Sequence, residues 1–256
     1  MCRDAISFET PGSLGDWICM LSAAREYARR HPNQDVYISN LADVAAAYQD
    51  GLVQAGRCDH HVTVNAVHRE KHHSMRHNYL GTFLKEICPE IDEPMNLDLP
   101  HFDAVDNGPI ALIQPYSKFA GNPPTAYIQR LVDTVIERTG WKLYAIGHAN
   151  TPRDLTNVDY SLLEDSAVSL MRNISQSKFI LTPRSASAHT AAGYRIPTFV
   201  WVPDDGENWH LNYPGWNAMR ILHAEGIDLA VEALTKMLSS LDKFPAALKP
   251  TQADRT

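Results

Sequence analysis

The chain has 256 residues, 44% of them hydrophobic and 21% charged, with a formal net charge of −7. This balance suits a globular protein with one large core or two smaller ones, and the acidic surplus argues against a general affinity for nucleic acid, which needs a basic surface. No run approaches the ~18 apolar residues that span a bilayer, and MCRDAISFE carries charges where an export signal needs an apolar stretch.

Short apolar strands alternate with longer amphipathic helices along the chain. AISF (5–8) predicts a strand and GSLGD (12–16) a turn. The run from about 16 to 31 predicts a helix with Ile18, Leu21, Ala24 and Ala28 on one face. VYISN (36–40) is a β-branched strand, 42–56 a second helix, and HVTV (61–64) a third strand. These elements make a βαβαβ half, the unit of an open parallel sheet. Between 66 and 108 the rhythm breaks. A helix is expected from about Ser74 to Ile87, and the proline- and acid-rich stretch after it reads as a linker or exposed connection.

The rhythm then restarts. IALIQ (110–114) predicts a strand, and 126–140 a helix stopped by a C-terminal glycine. Strands are expected at 141–147, 178–182 and 197–202. Helices are expected at 166–177, 187–194 and 226–241. Two Rossmann-like halves in an α/β chain predict two lobes facing across a cleft. The first lobe spans 1–105, the second 106–242, and 243–256 reads as a flexible tail. Ligands of such sheets collect where strands lead into helix N-termini.

Three strand-to-helix segments carry groups suited to chemistry. In TPRSASAHTAAGYRIPTFVWV (182–202), small residues open a short helix. Free N–H groups and the positive helix end at Ser185–Ser187 suit a phosphate, and His189 is close enough in sequence to reach it. Read alone, this segment more often describes a Ser-capped packing helix with a satisfied core histidine. GSLGD likewise reads alone as a capped turn, and its spacing is not a dinucleotide fingerprint. In QPYSK (114–118), Ser117 and Lys118 offer a hydroxyl and an ammonium to phosphate oxygens.

Taken together, the segments resemble the heptosyltransferase-like glycosyltransferases of family 9. GSLGD is similar to that family's GxLGD opening, and SLLEDSAVSLMRNISQSKFILTPRSASAHTAAGYRIPTFVWV to its C-terminal signature. The resemblance implies a GT-B fold and an inverting transfer from a nucleotide-diphosphate sugar to an acceptor hydroxyl. It implies Asp16 as general base, with Gly12, Ser13 and Gly15 in the acceptor loop. It further implies Ser117, Lys118, Ser185, Ala186, Ser187 and His189 around the donor phosphates. Backbone dipoles and a lysine would then do the work of a metal, so no cofactor and no metal are expected. In keeping with this, no Asp-x-Asp occurs in the chain. Where the family has Asp-Ser-Gly, this chain has Arg184-Ser185-Ala186, which reverses the local charge and adds a guanidinium for phosphate or carboxylate. That departure leaves the donor sugar open.

His60, His61, His68, His72, His73 and His77 gather half of the twelve histidines. His73 and His77 have zinc-like i, i+4 spacing, but no HExxH and no acid or cysteine at ligand spacing accompanies them, so no metal is assigned. With Arg69, Lys71 and Arg76 this stretch is the most cationic in the chain, which suggests an anionic acceptor, a glycan or another hydroxylated molecule. The aromatic stretch WVPDDGENWHLNYPGWN (201–217) suits sugar or base stacking and interlobe packing equally, with Asp204, Asp205 and Glu207 available to sugar hydroxyls. Cys2, Cys19, Cys58 and Cys88 have no close partner, which fits reduced thiols in a cytoplasmic protein. Two other functions fit the same fold: a sugar-nucleotide epimerase or hydrolase, and a nucleotide-sugar binder without turnover.

Overall fold

The computed structural model describes residues 4–64, 78–103, 111–118, 121–202 and 211–241. The first lobe runs β1 (Asp4–Glu9), α1 (Leu14–Arg30), β2 (Gln34–Ile38), α2 (Ala42–Ala47), β3 (Gln54–Ala55), β4 (His61–Thr63) and α3 (Tyr79–Ile87). Its four strands are all parallel, in the order β3-β2-β1-β4. Parallel strands need both faces covered, and the buried faces of α1 and α3 supply one cover: Ile18, Leu21, Leu80, Phe83 and Leu84 are all at most 2% exposed.

The second lobe runs β5 (Ala111–Ile113), α4 (Thr125–Thr139), β6 (Leu143–Ala145), β7 (Val158–Asp159), α5 (Ala167–Ser175), β8 (Phe179–Pro183), α6 (Ala186–Gly193), β9 (Thr198–Val202), β10 (Ala218–Leu222) and α7 (Ile227–Leu241). Its six strands are parallel, in the order β10-β9-β8-β5-β6-β7. The central strands β8 and β9 are buried at every residue, as their unbroken apolar runs require. Helix α4 ends at Gly140, whose left-handed φ of 66° suits a residue without Cβ, as the sequence predicts.

Two expectations need correction. The helix expected over 42–56 stops at Ala47, because Gln49 and Gly51 both turn left-handed (φ 60° and 65°). Gln54–Ala55 then pair with Tyr37–Ile38 as an edge strand. The proline-rich connection is also not an exposed linker throughout. Leu97 and Leu99 are 4% and 8% exposed, and the carboxylate of Asp98 accepts from Arg25 Nε at 2.6 Å and from Arg29. The carbonyl of Asp98 accepts from Ser22 and Tyr48, and Tyr194 donates to Pro100 O at 2.7 Å. Arg25 itself is buried, paired to both oxygens of Asp50, with its guanidinium 3.6 Å from the centre of the Tyr48 ring. This strap binds both lobes: a Cβ on Gly193 of α6 would overlap the Leu99 side chain. Helix α3 begins at Tyr79 behind the N-cap Asn78, whose side chain accepts from Gly81 N. Residues 74–77 of the expected helix, the lobe boundary at 105/106 and the tail at 243–256 lie outside the described residues.

An apolar cluster bridges the lobes, while two others, one around Ile113, Leu131 and Phe199 and one around Leu112, Ile146 and Ile180, belong to the second lobe alone. The bridging cluster joins Ile6, Phe8, Ile18 and Leu84 of the first lobe to Met171, Ala188, Ala192 and Val200 of the second.

Candidate active site

Strand order locates the site before any side chain is considered. In the first sheet the chain steps outward from β1 to β2 and β3, then returns to lay β4 on the other side of β1. In the second it steps from β5 to β6 and β7, then returns to lay β8 beside β5. Crevices open at such reversals, outside the carboxyl ends of the strands. The segments emerging there are Thr10–Ser13 after β1, Gln114–Lys118 after β5 and Arg184–Ser185 after β8. They are the three segments singled out in the sequence.

The start of α1 is closed by its own acid. Asp16, buried at 7% exposure, accepts on Oδ2 from Ser13 N at 2.7 Å and Ser13 Oγ at 2.9 Å. Its Oδ1 accepts from the Tyr79 hydroxyl. A carboxylate at a helix N-terminus sits well in the helix dipole, and here it also ties the turn together. Gly12 makes room for it: at φ +149°, a Cβ there would stand 2.6 Å from Asp16 Oδ2.

The start of α6 is arranged differently. Ser185 occupies the N-cap position without capping. Its hydroxyl instead donates to Gln114 Oε1 at 2.7 Å and lies 3.1 Å from Thr182 Oγ1. Ser187, in the first turn, is 1% exposed, and its hydroxyl has no hydrogen-bond partner among the described residues. The amides at this helix end thus lack a capping side chain from Ser185, and no acid stands in the first turn. Gln114 also donates to Tyr116 O at 2.9 Å, which fastens the QPYSK loop beside this turn. Ser117 is held in that loop by paired 2.8 Å bonds between its backbone and the Asn122 side chain. Lys118 is exposed.

The two helix starts touch. A Cβ on Gly15 would meet His189 Cδ2 at 3.4 Å and the Ala186 Cα and N at 3.7 Å, so the glycine of the first motif lies against the second. Behind this contact runs a buried polar column. The Tyr79 ring stacks over His189 at 5.5 Å, and His189 Nδ1 lies 2.8 Å from the Tyr213 hydroxyl. The Tyr213 hydroxyl in turn lies 3.6 Å from Cys19 Sγ. Burial, and then the nearby positive charge of Arg184, push the His189 pKa down to about 3, so the ring is neutral. Burial raises the Cys19 thiol and the Tyr213 phenol far above their ordinary values, so both keep their protons. A phenol is a better donor than a thiol, and an imidazole nitrogen a better acceptor than sulfur. We therefore assign the Tyr213 proton to His189 Nδ1, which leaves the imidazole proton on Nε2.

Of the expected site residues, the structure brings together Gly12, Ser13, Gly15, Asp16, Ser185, Ala186, Ser187 and His189, with Arg184 close enough to act on the charge of His189. Ser117 and Lys118 belong to the loop tethered through Gln114. Arg69, Lys71, Arg76, His68, His72, His73, His77, Asp204, Asp205 and Glu207 lie outside the described residues. Of the other histidines, His61 is engaged by Ser7 and Glu9, at 2.9 and 3.2 Å. Among the described residues no cluster of three potential metal ligands occurs. Within the aromatic stretch, Trp201 is fully buried, Tyr213 belongs to the column, and Trp216 donates to Ile196 O at 2.8 Å. Those three rings pack the core. Sequence reasoning assigned no role to Gln114 or Tyr79. Gln114 directly follows the last residue of β5, where ligand groups of such sheets gather, and that position is a signal the sequence carries. Tyr79 meets Asp16 from 63 residues away, which no local pattern could announce.

No protein-family model and no curated protein matches the sequence, so the likeness to known proteins lies in three dimensions. The chain superposes on the heptosyltransferase WaaC of E. coli, solved with ADP, with a TM-score of 0.64 and 12% identity, covering 93% of this chain and 99% of that one. A family 9 glycosyl transferase from Veillonella parvula gives a TM-score of 0.65 at 9% identity, over 94% and 99% of the two chains. The iron-containing dodecameric glycosyltransferase TibC of enterotoxigenic E. coli gives 0.59 at 16% identity, over 86% of this chain. The chain spans 62% of the length of TibC. Over most of its length, the protein has the GT-B fold of the family 9 heptosyltransferases.

Proposed function

We propose that the protein is a metal-independent, inverting glycosyltransferase that moves a sugar from a nucleotide-diphosphate donor to an acceptor hydroxyl. The observation that carries this reading is the contact between the two helix starts: Gly15 beside Ala186 and His189 sets an acid-bearing turn against an uncapped one. In the proposed reaction the acceptor oxygen bonds to the anomeric carbon while its proton passes to Asp16. The bond from that carbon to the phosphate oxygen breaks on the opposite face, and the nucleoside diphosphate leaves with the electron pair. A carboxylate has room for about four hydrogen bonds, and Asp16 accepts three from the described residues, which leaves a place for the acceptor among them.

On the donor side, the amides opening α6, the Ser187 hydroxyl, Ser117, Lys118 and Arg184 would neutralise the departing diphosphate. WaaC is solved with ADP, which makes adenine nucleotides the first donors to try. No helix among the described residues is long and apolar enough to cross a membrane.

The experiment is a thermal-shift screen against ADP, GDP, UDP, CDP and dTDP and their sugar conjugates, with and without EDTA. A ligand at a hundredfold excess over its Kd stabilises the fold by about 2.7 kcal/mol. A shift confined to one nucleotide and unchanged by EDTA is the expected result. No shift with any member of the panel would remove the donor reading, and a shift abolished by EDTA would remove metal independence.

A further inference from the structure

The buried column holds one group whose role goes beyond packing. Tyr79 opens α3, is 7% exposed, and gives its hydroxyl proton to Asp16 Oδ1. Among the described residues the opposite oxygen of that carboxylate is held by Ser13 alone, through its amide and its hydroxyl. The carboxylate is therefore gripped from two elements, its own turn and a helix distant in sequence. Tyr79 is itself fixed on three sides. Asn78 caps α3 and donates to Met95 O at 2.7 Å, which sets where the helix starts. Phe83 meets the Tyr79 ring edge-on at 5.5 Å, and His189 stacks on it. His189 belongs to α6, so the ring that orients the acid rests on the helix that opens toward the donor.

We propose that Tyr79 is a positioning residue for Asp16, which fixes the carboxylate against rotation and ties its placement to the α6 turn. This rests on the base role proposed for Asp16. The chemistry favours a phenol here. A phenol donates one strong hydrogen bond to a carboxylate and carries no charge, so it orients the base at a smaller electrostatic cost to proton uptake than a cation would. A lysine or arginine at the same place would pair with the base electrostatically and oppose its protonation. Misplacement of a reacting group by about 1 Å is enough to cost about a hundredfold in rate, and loss of one tether of several is expected to cost less.

The test is a kinetic double-mutant cycle on wild type, Tyr79→Phe, Asp16→Asn and the double variant. Release of the nucleoside diphosphate is followed with each donor of the thermal-shift panel, water serving as the acceptor that takes the sugar, and Tm is read for every variant. Tyr79→Phe keeps the ring on His189 and loses only the hydroxyl. It is expected to lower kcat about tenfold with the donor KM unchanged, and to add no further loss in the Asp16→Asn background. Should Tyr79→Phe not fold, fluorinated tyrosines at position 79 vary the strength of the donor without altering its shape, and kcat should follow that strength only while Asp16 is present. Equal losses in both backgrounds, an unchanged kcat, or a change in KM alone would overturn the positioning role. Full turnover in Asp16→Asn would instead overturn the base reading beneath it, as would a wild type that turns over no donor in the panel.

Discussion

Two turns of the same design open α1 and α6, and they handle the helix dipole in opposite ways. Each follows a parallel strand, each is built from small residues, and each has a serine at the N-cap. The first brings its own anion: Asp16 is drawn back onto the turn by Ser13 and held by Tyr79. The second has no acid, sends its cap serine sideways to Gln114, and leaves Ser187 buried without a partner among the described residues. A helix start that is already neutralised has a carboxylate to use in chemistry, whereas one that is left open attracts an anion from outside. The same local fold can therefore yield a base or a phosphate cradle, according to where one acid is placed.

The sharpest way to break this contrast is to remove the acid from the first turn. Asp16→Asn is expected to lower kcat about 10²- to 10⁴-fold, the usual range for a lost general base, with nucleotide affinity in the thermal-shift screen unchanged. A comparable loss of nucleotide affinity would mean that the two turns do not divide the work. The converse experiment gives the second turn an acid of its own. Ala186→Asp should favour the α6 dipole while repelling the donor diphosphate, raising its Kd about tenfold or more, with Tm held or slightly increased. Isothermal titration would detect this, and an unaltered Kd would place the phosphates elsewhere.

A gentler change acts on the room around Asp16. Gly12→Ala forces a Cβ into a left-handed backbone and into the carboxylate, and should cost about 1–3 kcal/mol. That corresponds to a drop of several degrees in Tm, alongside reduced turnover.

The effect that is smallest at neutral pH, and grows only in acid, concerns His189, which joins the turns. Its pKa is lowered to about 3 in the fold, against ~6.5 when unfolded. Between those values the unfolded chain binds a proton that the folded chain refuses. This residue's share of stability is therefore intact above pH ~6.5 and falls as pH drops toward 3, by up to about 1.4 kcal/mol per pH unit. His189→Gln should flatten that slope in urea titrations across the window. An unchanged slope would mean that the ring is solvated.

Much of this contrast was legible in the sequence, for a physical reason. Strand and helix periodicity is local, so most elements from β1 to α7 stand where the apolar pattern puts them. The three chemical segments could be located because parallel sheets gather their crevices at strand ends. What stayed hidden depends on long-range partners. The two-residue strands β3 and β7 are too short to show a period, and half-buried β10 lacks an apolar run. Asp98 looked like one more acid in an exposed linker because the arginines and serine that bury it come from α1, some 70 residues earlier. Tyr79 offered no sign of its role for the same reason.

The strap from Met95 to Pro100 has a consequence for protein engineering. Two-lobed folds invite exchange, pairing one protein's first lobe with another's second. Here the connecting segment is not a neutral joint. Leu97 and Leu99 fill space beside Gly193 of α6, and Asp98 is held by the arginines of α1. A chimera cut within this segment would leave a buried guanidinium facing a foreign partner and a groove on α6 shaped for leucines that are no longer there. A viable exchange has to carry the strap, the Arg25 face of α1 and the Gly193 end of α6 as one graft.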